Sequence, residues 1–254
     1  FEHTTLTEYL RRVRAAAPQL ETIDGSLYHI GRRGLNNWLL KNVLSSMVHN
    51  KQHNDACERL LSGLAGPMQA FLTMAGGQAA TPNDVCGRED FLRTAWKTLV
   101  QNHPHDSICG CSTSDVHEDM EYRFRQTEAI GRGLVKNMGE QLSASIDTST
   151  FEGCDGAAVV YNPTQEHAEG VRQVTVLLPS TELKRLELVD EAGERLDAQL
   201  LHAEPVMEHR YPVKTLIQFE VKTAATYALP LEVGPNGYRT IGWRLLQSAF
   251  PGPG

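Results

Sequence analysis

The spacing of apolar residues changes period once along this chain, near residue 155, and that single change limits the folds open to it. Before it, apolar positions recur every three or four residues, as a helix with one buried face requires. In TTLTEYLRRVRAAA (4–17) they are Leu6, Tyr9, Leu10 and Val13, and Pro18 closes the run. LNNWLLKNVLSS (35–46) reads as a passage from loop into helix. From about Lys51 a stripe of Leu60, Leu64, Met68, Phe71 and Leu72 marks a long helix, which Gly66-Pro67 should kink because proline lacks the donor its turn needs. Beyond the polar break GGQAATPND (76–84), Phe91, Ala95, Trp96, Leu99 and Val100 form another core-facing stripe. It must stop before Pro104, which pushes His103 out of helical geometry. A last helix follows, with Ser112 and Asp115 fitting a capping box and Val116, Met120, Phe124, Leu134, Met138 and Leu142 facing a core.

After the change, runs with a period of two take over: AAVVYNP, VRQVTVLLP, KRLELVDEAG, VKTLIQFEV, ATYALPLEV and GYRTIGWRL. Turn signals such as Asn162-Pro163, Ala192-Gly193 and Pro235-Asn236-Gly237 separate them. Helices first and strands second, without alternation, predict an α+β multidomain chain: a central bundle of three main helices followed by an antiparallel β-sandwich-like domain. The expected division is 1–30 as linker or the tail of a preceding domain, 31–150 as the bundle, 151–246 as the sandwich and 247–254 as a terminal linker or tail. With 41% hydrophobic residues in 254, each part can bury a core.

A net charge of −7 with scattered Lys and Arg argues against a nucleic-acid partner, which needs cations massed on one face. No apolar run reaches the roughly 20 residues that span a bilayer, so no membrane partner is expected. The start, FEHTTLTEYLRR, has neither a signal-peptide profile nor an initiator Met, and is expected to continue a longer chain. Five cysteines at irregular spacing do not form a disulfide framework, which favours a reducing cytoplasm.

The densest chemistry lies in NHPHDSICGCSTSDVHEDM (102–120), where three histidines, four acids and two cysteines crowd together. A zinc knuckle from His105, Cys109, Cys111 and His117 is one reading. Its C-x-C spacing is poor for a structural site, and His117 sits one turn inside a helix. A catalytic loop is the second reading: Pro104 stiffens the approach and presents His105, a possible metal ligand, beside Asp106, a possible acceptor for sugar hydroxyls. An ordinary polar loop before a helix is the third. Tyr161, Tyr211, Tyr238 and Trp243 would be the stacking platforms if the chain were instead a non-catalytic carbohydrate-binding or scaffold module.

The whole stretch QNHPHDSICGCSTSDVHEDMEYRF closely resembles the signature of the family 38 glycoside hydrolases, the retaining, zinc-dependent alpha-mannosidases, in their bacterial form. VLSSMVHNKQHNDACERLL is similar to the segment leading into that family's central bundle, AVVYNP to the first strand of its following β-domain and GPNGYRTIGWRL to that domain's closing strand. The resemblance implies that His105 is a zinc ligand and Asp106 binds sugar hydroxyls, while His103 receives no role. Cys109 and Cys111 stand where relatives carry threonine, which removes them as ligands, and Met47 replaces an arginine of the related segment. It further implies a mannoside substrate, mannosylglycerate being favoured, and a fragment of a longer hydrolase. The nucleophile, a His-x-Asp ligand pair and the remainder of the zinc site would come from a preceding catalytic domain, with further β-domains behind.

Overall fold

A computed structural model describes residues 1–16, 19, 22, 24, 43–74, 82–179, 184–210, 216 and 218–249. Pro18, most of 35–46, the break at 76–81 and the terminal AFPGPG fall mainly or wholly outside them. The fold is α+β, with helices first and antiparallel strands second.

Helix α1 (Leu6–Ala16) has the expected apolar stripe but buries none of it among the described residues. Arg11 and Arg12 pair with Glu8 and Glu2. Helix α2 (Val48–Glu58) runs through a π-wound stretch, 59–65, directly into α3 (Gly66–Met74). Pro67 accounts for that winding: its ring would press on the carbonyl four residues back, and a wider turn just upstream, with Gly66 N–H donating to Leu61 O, gives it room. At the position of the expected kink the chain is π-wound, which also rotates the buried face. Leu61, Ala65, Met68 and Leu72 are inside, whereas Leu64, expected there, is 40% exposed.

Helices α4 (Pro82–Val100) and α6 (Ser114–Ala144) complete the bundle. From α4 the core takes Leu92, Ala95, Trp96 and Leu99; Phe91 and Val100 turn outward, so the expected stripe was too wide. Helix α6 buries Met120, Phe124, Leu134, Met138 and Leu142 as expected. Gly131 lets it approach α2–α3, since a Cβ there would stand 2.7 Å from Leu60 Cδ2. The expected capping box is not formed: the N-cap is Thr113, without a side-chain hydrogen bond to the helix.

Two three-stranded antiparallel sheets follow, in the orders β1-β6-β3 and β2-β5-β4. Their strands are β1 (Gly156–Asn162), β2 (Ala168–Leu178), β3 (Lys184–Val189), β4 (Gln199–Arg210), β5 (Gln218–Val233) and β6 (Gly237–Ala249). Inward residues of both sheets share one core, including Val174, Val176, Leu188, Tyr227, Leu229, Ile241 and Trp243. Strand β4 escaped the sequence reading because Pro205 interrupts it, yet it lies at a sheet edge, where a missing donor is tolerated. VKTLIQFEV and ATYALPLEV, expected as two strands, contribute to the single strand β5. Pro230 fits β5 because β4 pairs only as far as Ala228.

Asn162 ties the end of β1 to the turn before β6. Its Nδ2 donates to Glu166 O, Val233 O and Gly234 O at 2.7, 3.2 and 3.0 Å, and Asn236 (φ 48°) turns the chain into Gly237. Bundle and sandwich meet where Ser143 Oγ and Tyr161 Oη stand 3.1 Å apart and Lys136 Nζ reaches Glu208 at 3.5 Å.

Candidate active-site helix at the head of the bundle

Asn102 anchors the histidine-rich segment as it leaves α4. It is wholly buried, and its Nδ2 donates to Met120 O at 3.1 Å while Oδ1 accepts from Arg123 Nη1 at 3.4 Å. Pro104 then caps a one-turn helix, α5 (His105–Cys109), and its carbonyl accepts the amides of Ser107 and Ile108. His105 and Asp106 thus begin a helix instead of lying in open loop. Their side chains are 87% and 64% exposed, with Nε2 3.4 Å from Oδ1, so both face outward where a ligand can reach them.

The far end of α5 is held by the start of α2. Gly110 closes α5 in the left-handed region (φ 82°), and a Cβ there would stand 2.9 Å from Met47 Cβ and Cγ and from Ser46 Oγ. Ser46 Oγ donates to Gly110 O at 3.1 Å, and Lys51 Nζ donates to Ser46 O at 2.6 Å and Cys109 O at 3.5 Å. Met47 is itself left-handed (φ 46°). His103 also has a place: its Nε2 lies 2.7 Å from Asn54 Oδ1 on the next turn of α2. Asn50 and His117 meet between α2 and α6, Nδ2 to Nδ1, at 3.2 Å.

None of Ser46, Asn50, Lys51, Asn54 or Asn102 was singled out from sequence. A signal for two of them is present, because HNKQHN repeats His-Asn at four-residue spacing and so lines one helix face with hydrogen-bonding groups.

The zinc knuckle does not form. Among the described residues no three of His, Cys, Asp or Glu are grouped to hold a metal. His117 is turned into the helix interface, and Cys111 Sγ donates to Asp106 Oδ1 at 3.4 Å. Desolvation, then that hydrogen bond, raises the Cys111 thiol above the usual range. By themselves these residues do not fit a zinc ion, to which His105 can offer one nitrogen. The stacking platforms fare unevenly: Trp243 is in the sandwich core, and Tyr211 lies outside the described residues. Tyr161 and Tyr238, centroids 6.1 Å apart, line a mainly apolar cleft of about 720 Å³ with Phe71 and Leu142.

Residues 39–142, which hold α2 to α5, α6 but for its last two residues and the whole of the segment just described, match the family model described as the alpha mannosidase middle domain. A protein of Halalkalibacterium halodurans named "Putative mannosylglycerate hydrolase" is 33% identical over 149 residues, which are 58% of this chain and 15% of that protein. Among solved structures, an alpha-mannosidase from Enterococcus faecalis superposes with a TM-score of 0.70 at 26% identity, over 84% of this chain and 25% of the other. A glycosyl hydrolase family 38 protein from the same species gives a TM-score of 0.66 at 25% identity, over 99% of this chain and 29% of the other. The likeness therefore runs through middle domain and sandwich alike, and the chain is family 38 alpha-mannosidase-like. It spans under a third of each of these relatives. Among the described residues no helix is long and apolar enough to cross a membrane.

Proposed function

We propose that this chain is the central part of a longer retaining alpha-mannosidase, with 1–30 leading from a catalytic domain, 31–150 as the middle bundle, 151–246 as the first β-domain and 247–254 as a tail. The observation that carries the proposal is the pair His105 and Asp106, side by side and exposed on a helix pinned at both ends, within a segment that matches the alpha mannosidase middle domain.

In this reading Asp106 accepts hydrogen bonds from hydroxyls of the mannose ring and fixes its orientation. Such bonds count for catalysis where they strengthen as the ring flattens toward the transition state. His105 lends one imidazole to a zinc ion whose other ligands lie outside this chain; when bound, the metal would supply a positive centre for the sugar's hydroxyls. The nucleophilic carboxylate and the acid that protonates the leaving oxygen also lie outside, so this chain binds and orients. A small mannoside such as mannosylglycerate is the proposed substrate, supported by the printed name of the Halalkalibacterium protein.

The test is turnover of 4-nitrophenyl α-mannoside and of mannosylglycerate by the longer protein, with the first-formed sugar followed by proton NMR. Release of α-mannose, a net retention, is expected from double displacement. Release of β-mannose would contradict the retaining mechanism, and no turnover of either compound would contradict the mannosidase.

A further inference from the structure

We infer that Asn50 and His117 are positioning residues for the His105–Asp106 helix, a buried polar brace that fixes its two flanks relative to each other. This rests on the proposed role of that helix only for its consequence in catalysis; the brace itself is a property of this chain.

Its location carries the argument. Asn50 lies in the first turn of α2, and its amide donates to Met47 O at 3.1 Å. Met47 and its neighbour Ser46 are the residues against which Gly110, the end of α5, is seated. His117 lies in the first turn of α6, which begins four residues after Gly110, and its amide donates to Thr113 O. The contact between Asn50 and His117 therefore joins the element that holds α5 to the element into which α5 leads. Asn54 and His103 make a second strut one turn further along α2, on the other side of α5. A helix as short as α5 cannot hold its own direction, so its orientation is set by these supports.

The pair is also a poor choice for stability alone. Asn50 is wholly buried and His117 is 8% exposed, yet among the described residues Asn50 Oδ1 and His117 Nε2 have no hydrogen-bond partner. A buried polar atom without a partner costs stability that an apolar group of the same shape would not. Elsewhere the same interface is filled by Cys57, Leu61, Met120 and Phe124, which incur no such cost. A directional contact at this one place gives what an apolar contact cannot, a fixed register between the two helix starts.

Hydrogen exchange on this chain tests the brace directly, because the amides of Ser107, Ile108, Gly110 and Cys111 are all bonded within the loop. In the Asn50→Leu/His117→Phe variant, which leaves no unpaired polar atom, those amides should exchange about fivefold to tenfold faster, while amides of 120–124 in α6 and the melting temperature hold or improve. His117→Leu alone, which leaves the Asn50 amide unpaired and so costs more stability, should still raise loop exchange beyond that of α6, and His117→Gln, which keeps a side chain able to meet the Asn50 amide, should restore wild-type protection. Loop exchange that stays at the wild-type rate, or that rises only in step with α6, would overturn the inference. In the longer protein the double variant should lose kcat/KM about tenfold with its zinc content unchanged. A wild-type protein inactive on mannosides would remove the mannosidase reading and leave the exchange result standing.

Discussion

Cys111 shows how a residue that composition marks as a metal ligand serves another purpose. Its thiol faces the Asp106 carboxylate, and a hydroxyl there could donate the same hydrogen bond. Cys111→Ser should therefore keep kcat/KM, whereas Cys111→Val should lower it by roughly fivefold, the effect of one modest hydrogen bond. Neither change should alter zinc content, and loss of metal from either variant would revive the knuckle. At this scale the sequence was legible where covalent geometry speaks: Pro104 marks the stiff approach to His105 and Asp106 without reference to any other part of the chain. It was not legible where a residue acts across space. Ser46 and Lys51 lie some sixty residues before the groups they support, and nothing local distinguishes them from solvated polar residues.

Elements whose apolar face is plain were foreseen, and those whose identity depends on neighbours were not. The stripe of α6 is read directly, since each of its turns meets the core. Strand β4 was missed because Pro205 counts against a strand unless its edge position is known. The face of α2–α3 was misplaced by the π winding at 59–65, which no periodicity of 3.6 anticipates. Gly131 makes the packing of these helices testable. With Leu60 Cδ2 2.7 Å from the place of its Cβ, Gly131→Leu should force the helices apart and cost about 1–3 kcal/mol, read as a lower melting temperature. A variant as stable as the wild type would mean that the close approach does not matter.

For the whole molecule, a bundle and a sandwich, each with its own core, hold α5 at the bundle's head with His105 and Asp106 facing out. The change of period conveyed that architecture, and the His-Asp segment conveyed the candidate site, but the partners that would complete a zinc centre are not among the described residues. In the proposed site the two neighbours divide the work, His105 serving the metal and Asp106 the sugar. The most direct measurement is zinc content together with kcat/KM on 4-nitrophenyl α-mannoside for His105→Ala and Asp106→Ala in the longer protein. Removing one of about three protein ligands should weaken metal binding by orders of magnitude, so His105→Ala loses zinc and activity together. Asp106→Ala should keep its zinc and lose about a hundredfold or more in kcat/KM, as expected when an acceptor that strengthens in the transition state is removed. A zinc-replete, active His105→Ala protein, or an Asp106→Ala protein with undiminished kcat/KM, would contradict the account.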